Sequence, residues 1–381
     1  MTLNQTLDII WNISLICPWD CDFCCTDAVH ITTNNRDIIA REHSLSSTTL
    51  IEKSTESEFR RRYPGIKPTK YDLALIARQS AGKELSFDQK IAILKNLSGR
   101  RLKIDFAGGD PLACYENYLV IKKASEIFGK ESISITSTGT FIKRYGAEKL
   151  ANIIGEFEFT YDEPSRTPQH SRPSGYNSSN LKFAELFSAL GVRTKAQLPI
   201  HLGNLSDSKT KEIYLDLCKA GVDELLLMRT FPVGRGESYL NRNPISRSQI
   251  VECISNFKEI EDKSKTSIRL QCALKFLSNE RPERNPCDLM HESFGINFMG
   301  DLLLSAWANN NKGLPLSNDF ILGNLCKQSF EEISLTDKFQ RYKKRLDENF
   351  GHCKIFSYIH SDLKTENALF ELTDPLFTSE S

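Results

Sequence analysis

Cys17-Pro18-Trp19-Asp20-Cys21-Asp22-Phe23-Cys24 closes an apolar run that extends from Ile9 to Ile16, and its three cysteines are spaced C-x3-C-x2-C. A loop this short can carry three thiolates to one small metal centre, and it offers no obvious fourth protein ligand. A 4Fe–4S cubane is ordinarily held by four cysteines, so a three-cysteine cubane leaves one iron open to some other ligand. Structural zinc asks for a different pattern, paired C-x2-C units with a second pair of Cys or His elsewhere. Cys25 adds a neighbouring thiol, but adjacent cysteines rarely reach two corners of one cubane, and it reads as a packed residue. Inert buried thiols are the remaining alternative.

With an aromatic residue, Phe23, directly before the last cysteine, the stretch resembles the signature of the radical S-adenosylmethionine (radical SAM) enzymes. The resemblance implies that Cys17, Cys21 and Cys24 ligate a 4Fe–4S cluster whose open iron chelates the amino and carboxylate groups of SAM. It implies further that an electron from the cluster breaks the sulfonium C–S bond and releases a 5′-deoxyadenosyl radical. Such an enzyme draws on an electron donor such as flavodoxin or ferredoxin.

Length and composition allow this reading without producing it. A chain of 381 residues with 40% hydrophobic content can hold one large α/β domain and a smaller one. The formal net charge is zero, which points to neither nucleic acid nor a membrane surface as a partner. Met1-Thr-Leu-Asn-Gln5 lacks a basic and apolar leader pattern, and no run approaches the ~18 apolar residues of a membrane span. A cytoplasmic location is expected. Eleven cysteines in a reducing compartment then suit metal chemistry better than a disulfide framework.

The first two-thirds of the chain alternate strand and helix. Apolar runs at 8–16, 102–106, 133–136, 157–161, 192–198 and 224–228 predict six strands. A helix should open at Ser86, whose hydroxyl caps it while Gln89 reaches back, and others should cover 115–128, 147–154, 179–190 and 206–220, with Gly191 and Gly221 as stops. Six strand-to-helix units with right-handed crossovers predict a partial (β/α)6 barrel whose chemistry sits at the C-terminal ends of the strands. The same α/β fold is implied by the resemblance, with 1–245 as the radical SAM core and 246–381 as a smaller α+β extension. Residues 26–85 form a long insertion, polar and turn-rich around 32–57, with a helix predicted over 72–79. It is either a lid or binding element beside the site or a surface excursion.

Several further stretches match the family in order. Gly108-Gly109-Asp110-Pro111 after the second strand looks like its Gly-Gly-Glu-Pro motif, which binds the SAM amino group, with a shorter acid here. Ser137, in Thr136-Ser137-Thr138-Gly139, falls where relatives carry a Thr-Asn-Gly turn near SAM. Phe159-Thr-Tyr-Asp162 followed by Arg172 resembles the strand-four region of radical SAM maturases and makes Arg172 a candidate for gripping the SAM carboxylate. Phe231-Pro-Val-Gly234-Arg235-Gly236 matches their Pro-x-Gly-Arg turn. The bland readings are turns, strand-end caps and a surface arginine. No residue is assigned a catalytic role.

In the extension, Gly295 to Ser305 reads as a hairpin turning at Met299-Gly300. It resembles the SPASM and Twitch extensions of radical SAM maturases, in which a second cysteine occupies the position of Ser305. By that match Cys272, Cys287 and Cys353 could hold one auxiliary 4Fe–4S cluster, with a non-cysteine ligand, an open iron or Cys326 at the fourth corner. The alternative is three packed thiols. The extension implies a peptide or protein substrate, modified by radical chemistry on a ribosomally made precursor. The alternatives are a small metabolite in natural-product assembly, or a non-enzymatic Fe–S protein, which has no need of the Gly-Gly-Asp-Pro turn.

Overall fold

A computed structural model of the chain describes residues 6–35, 37–42, 47–52, 54–164, 172–277 and 284–377. The chain opens with β1 (Leu7–Ser14) and turns through β2 (Ile16–Cys17) into a second sheet with β3 (Val29–Asn34), β4 (Asp37–Glu42) and β5 (Ser47–Ile51). Helices α1 (Ser54–Arg62), α2 (Lys70–Ser80) and α3 (Phe87–Leu97) lead back to the main sheet at β6 (Leu102–Gly108). Then α4 (Tyr115–Phe128), β7 (Ile133–Thr136), α5 (Ile142–Tyr145), α6 (Ala147–Ala151), β8 (Glu156–Thr160), α7 (Tyr176–Ala189), β9 (Arg193–Ile200), α8 (Asp207–Lys219) and β10 (Glu224–Arg229) follow in alternation. Ser86 and Gln89 form the expected capping box at the start of α3.

Strands β1, β6, β7, β8, β9 and β10 lie side by side in chain order, all parallel. This is the expected array of six strand-to-helix units. Two more parallel strands extend it at opposite ends: β11 (Ser267–Leu270) pairs with β10, and β12 (Ser293–Ile296) pairs with β1. The expected hairpin then forms between β12 and β13 (Asp301–Leu303), and β14 (Ile321–Asn324) adds antiparallel to it. Residues of 246–381 therefore flank the six-strand array on both sides, β11 at one flank and β12 at the other.

Alternation along the strands separates two environments. Ile9, Trp11, Ile104, Phe106, Phe157, Phe159, Ala196, Leu198, Leu225 and Leu227 are buried and belong to one core. Their neighbours Asp8, Asn12, Asp105, Glu158, Lys195 and Gln197 line a cavity on the concave side. Side chains on a strand alternate between faces, so one face seals against the helices while the other encloses a polar lumen.

The insertion departs from expectation. The stretch 32–57, read as polar and turn-rich, holds most of three mutually antiparallel strands, β3 to β5, in a four-stranded sheet whose first member, β2, carries Cys17 and runs parallel to β3. Short β-branched runs, Ile31-Thr-Thr33 and Ile38-Ile39, flank Asn34-Asn35, and Asn35 takes a left-handed turn conformation with φ 46°. That is a hairpin signal, masked by the polar residues around it. The helix predicted over 72–79 is present as α2.

Candidate active site

The cysteine loop leaves β1 at the C-terminal edge of the sheet and is held from three sides. From below, the Glu84 carboxylate accepts hydrogen bonds from the Leu15 N–H (3.0 Å) and the Ser14 hydroxyl (3.2 Å), and Arg78 joins Glu84 to Glu42 of β4. From the side comes the turn after β6. Gly109 N–H donates to the Ser14 carbonyl (2.7 Å) and Asp110 N–H to the Ile16 carbonyl (2.9 Å). A Cβ on Gly109 would sit 2.5 Å from the Ile16 carbonyl carbon, so the glycine is required for the two backbones to meet. From the far side comes the turn after β10. Gly234, at φ +55°, would place a Cβ 2.6 Å from the Cys24 carbonyl oxygen, and Arg235 N–H donates to that same oxygen (2.9 Å).

Cys17, Cys21 and Cys24 line one cavity with Phe23, Gly108, Gly109, Ser137 and Arg172. Each of the three sulfurs accepts an N–H: Cys17 from Trp19 (3.4 Å), Cys21 from the Arg172 guanidinium (3.3 Å) and Cys24 from Ala28 (3.4 Å). Burial pushes the Cys17 thiol well up and the Cys21 thiol to about 11, Arg172 partly opposing the latter. Burial would also raise Cys24, but the Arg235 cation, the Ala28 N–H and the Thr26 hydroxyl bring it below the ordinary thiol value. Arg235 is itself held by Asp20 at 2.6 Å, with Asp27 at 3.6 Å. The neighbouring Cys25 is pushed up to about 12 by burial and by Cys24. The donor set suits a thiolate-bound cluster: metal ligands must be deprotonated, and N–H donors on the sulfurs with a cation alongside favour that form. Among the described residues no three His, Cys, Asp or Glu are grouped to hold a metal ion. A cubane makes another demand, because each thiolate binds a different iron.

Other residues expected at the site are engaged within the protein. The Asp110 carboxylate accepts from the Leu112 N–H (2.8 Å), the Ser137 hydroxyl (3.2 Å), the Thr138 N–H (3.0 Å) and the Thr138 hydroxyl, which ties the end of β6 to the end of β7. Pro111 follows, buried in the same turn. What Gly108 and Gly109 present to the cavity is backbone. Arg172 pairs with Asp162 (2.7 Å) and sits 4.9 Å from the Phe23 ring centroid, with the Trp19 and Tyr176 rings at 5.6 and 5.7 Å. Asp162, though buried, is held below the usual carboxylate range by Arg172. His201 packs on Phe23 at 5.3 Å, and its burial lowers it to about 4. Asp162 closes the stretch matched in the sequence, whereas His201 carries no sequence signal and only the fold brings it to the site.

Of the second cysteine set, Cys272 and Cys287 lie between β11 and β12, and Cys353 lies further along the chain. Cys272, two residues beyond β11, holds φ 41°, uncommon for a residue with a side chain, and it lines the same cavity as the first set. Asn285 accepts from the Cys287 N–H (3.1 Å) and the Gly351 N–H (3.2 Å), joining the loops of Cys287 and Cys353. The Cys353 N–H donates to Asp374 (3.1 Å), which is paired with Arg229 at the end of β10. Burial raises Cys272 and Cys353; Cys287 and Cys353 raise Cys272 further, and Cys287 raises Cys353. Ser305 accepts from the Trp307 N–H (3.3 Å). Cys326 has Gly300, Asp301 and Lys327 as neighbours.

No family model and no curated protein matches the chain. Solved structures do. Streptococcus suis SuiB bound to S-adenosylmethionine aligns with a TM-score of 0.59 at 14% identity, over 89% of this chain and 68% of that one. SuiB bound to its precursor peptide SuiA aligns at 0.53 and 14%, over 88% and 66%. Native anSMEcpe with bound AdoMet and the Cp18Cys peptide aligns at 0.55 and 13%, over 89% and 83%. These likenesses concern the fold. It is an α/β fold built on a largely parallel sheet, as the alternation of strand and helix led one to expect. No helix among the described residues is long and apolar enough to cross a membrane.

Proposed function

We propose that the chain is a radical SAM enzyme that modifies a peptide. The observation that carries this reading is the set of three cysteines in one buried loop at the C-terminal edge of a parallel sheet, each sulfur accepting an N–H, beside a backbone turn built of Gly108 and Gly109. Cys17, Cys21 and Cys24 would hold the SAM-binding cluster, and Phe23, Ser137, Arg172 and the 108–111 turn would surround SAM. When bound, the cluster and SAM together supply a 5′-deoxyadenosyl radical able to abstract a hydrogen from an unactivated C–H bond. The protein's part is to hold the reacting groups in register and keep water away. Phe23, Trp19 and Tyr176 wall the site with rings, and Arg172, fixed by Asp162, offers a rigid fork to a carboxylate.

Residues 1–245 form the core on this reading, and 246–381 hold an auxiliary cluster on Cys272, Cys287 and Cys353. Their opening onto the shared cavity through Cys272 supports a place on the substrate side. A peptide substrate is supported by the peptides that SuiB and anSMEcpe hold in solved structures. An electron donor of the flavodoxin or ferredoxin type is required.

Anaerobically reconstituted protein should give a reduced-cluster EPR signal that changes on adding SAM, and should release 5′-deoxyadenosine. The Cys17→Ala/Cys21→Ala/Cys24→Ala variant should do neither; if it still cleaves SAM, the assignment is wrong. Wild-type iron should be about twice that of the Cys272→Ser/Cys287→Ser/Cys353→Ser variant, as two clusters against one require. Equal iron would remove the auxiliary cluster.

A further inference from the structure

The lumen of this barrel is not a packed core. Layers of interdigitated side chains fill a closed eight-stranded barrel, whereas here a cavity of about 520 Å³ runs from the cysteine loop down to Asp105, Glu156 and Glu158. The charges at its lower end do not balance locally. Lys195 Nζ donates to Glu156 (2.6 Å) and Glu158 (2.7 Å), Arg193 pairs with Glu156 (2.9 Å), and Gln197 Nε2 donates to the second oxygen of Glu158 (2.7 Å). Asp105, on β6, has among the described residues hydrogen bonds from hydroxyls alone, Thr136 at 2.7 Å and Ser134 at 3.3 Å. A buried carboxylate without a cation or N–H donor keeps most of its desolvation cost. Burial accordingly pushes Asp105 up to about 6 and Glu158, facing Asp105, up to about 8.

A second, separate feature of the same cavity points to a ligand. Gln271, directly after β11, is buried and lines the cavity, yet its Nε2 has no hydrogen-bond partner among the described residues. An amide donor left so keeps its desolvation cost unmet, and an incoming oxygen would recover it.

We infer that this lumen is the substrate pocket and takes a residue with a cationic side chain, its ammonium or guanidinium seated on Asp105 and Glu158 and a carbonyl oxygen of the same residue accepting from Gln271. The inference rests on the reading proposed above, in which the cavity is an active site. A cation supplies the N–H donors that Ser134 and Thr136 cannot, and it neutralises the carboxyl that Lys195 leaves over. A norleucine-like side chain would strand both carboxyls, and an acidic one would add to their repulsion.

The test is binding to the full-length, anaerobically reconstituted protein, followed by saturation-transfer NMR, with a blocked Gly-Lys-Gly tripeptide amide, its norleucine and Nε-acetyl-lysine counterparts, and n-butylamine as probes. The lysine peptide should bind wild type at least about tenfold more tightly than either uncharged counterpart, the order of a hydrogen-bonded charge. Asp105→Asn should remove most of that difference, and Gln271→Leu should weaken the peptide while sparing n-butylamine. Equal binding of the lysine and norleucine peptides to wild type would overturn the inference without recourse to any variant. So would an unchanged preference in Asp105→Asn that melts like wild type. The SAM-responsive EPR signal of wild type is a separate measurement, and its absence would sink the proposed function alone.

Discussion

Replacing Gly109 with Ala adds one methyl group at the point where the turn after β6 touches the cysteine loop. Its Cβ would lie 2.5 Å from the Ile16 carbonyl carbon and 2.7 Å from that of Leu15, with the Ile16 oxygen closer still. Ordinary contacts are about 3.5–4.0 Å, so the two segments must part by roughly 1 Å. The three nearest opposing atoms are all backbone, so no side-chain rotation relieves them. Parting by that much stretches the Gly109-to-Ser14 and Asp110-to-Ile16 hydrogen bonds, now 2.7 and 2.9 Å, beyond useful length. Overpacking of about 1–3 kcal/mol and two bonds at about 0.5–1.5 kcal/mol each give a loss of roughly 2–6 kcal/mol. Because Ile16 precedes Cys17, cluster retention should fall as well. Chemical denaturation and iron content after anaerobic reconstitution measure the two effects. Gly191→Ala is the control: its φ is +75° with nothing within 4 Å of the added Cβ, so it should cost only about 1 kcal/mol of strain and leave iron unchanged. Wild-type stability and iron in Gly109→Ala would refute the close approach, and equal losses in the two variants would refute collision as the cause.

Glu158 is pushed up to about 8 by burial and by Asp105 and Glu156, against the pull of Lys195. The folded chain keeps a proton there that the unfolded chain releases near the ordinary value of 4.5, so its contribution to stability should decline as pH rises from about 5 to 8. Glu158→Gln should flatten that decline, melting like wild type near pH 5 and above it at pH 8.5; parallel curves would contradict the assignment. Asp374→Asn leaves the buried Arg229 guanidinium without its counter-charge and should cost about 3–5 kcal/mol in denaturant titrations, with Arg229→Met/Asp374→Leu recovering part of the loss. Cys25→Ala should retain wild-type iron and SAM-responsive EPR; cluster loss would shift the ligand assignment by one residue.

What the sequence by itself determined was local in origin. The C-x3-C-x2-C spacing, the alternation of strand and helix, the capping box at Ser86 and the turn at Met299-Gly300 are each written within a few consecutive residues, and all reappear in the fold. The glycines of 108–109 were also legible, although the backbone they admit proves to be that of Ser14–Ile16. Only the tertiary structure decided which distant groups meet. Glu84 grips the strand end before Cys17 through an insertion whose hairpin was hidden among polar residues, and Arg235 reaches Cys24 across more than two hundred positions of chain. The lumen was half visible. Glu156-Phe-Glu158-Phe-Thr160 and Lys103-Ile-Asp105-Phe106 alternate polar with apolar residues, a pattern foreign to strands buried on both faces. That pattern alone says that one face is polar. Whether it meets solvent or encloses a cavity depends on the curvature of the sheet and on what crosses its open side. Those properties arise from contacts between residues far apart in sequence, and no stretch of the chain encodes them separately.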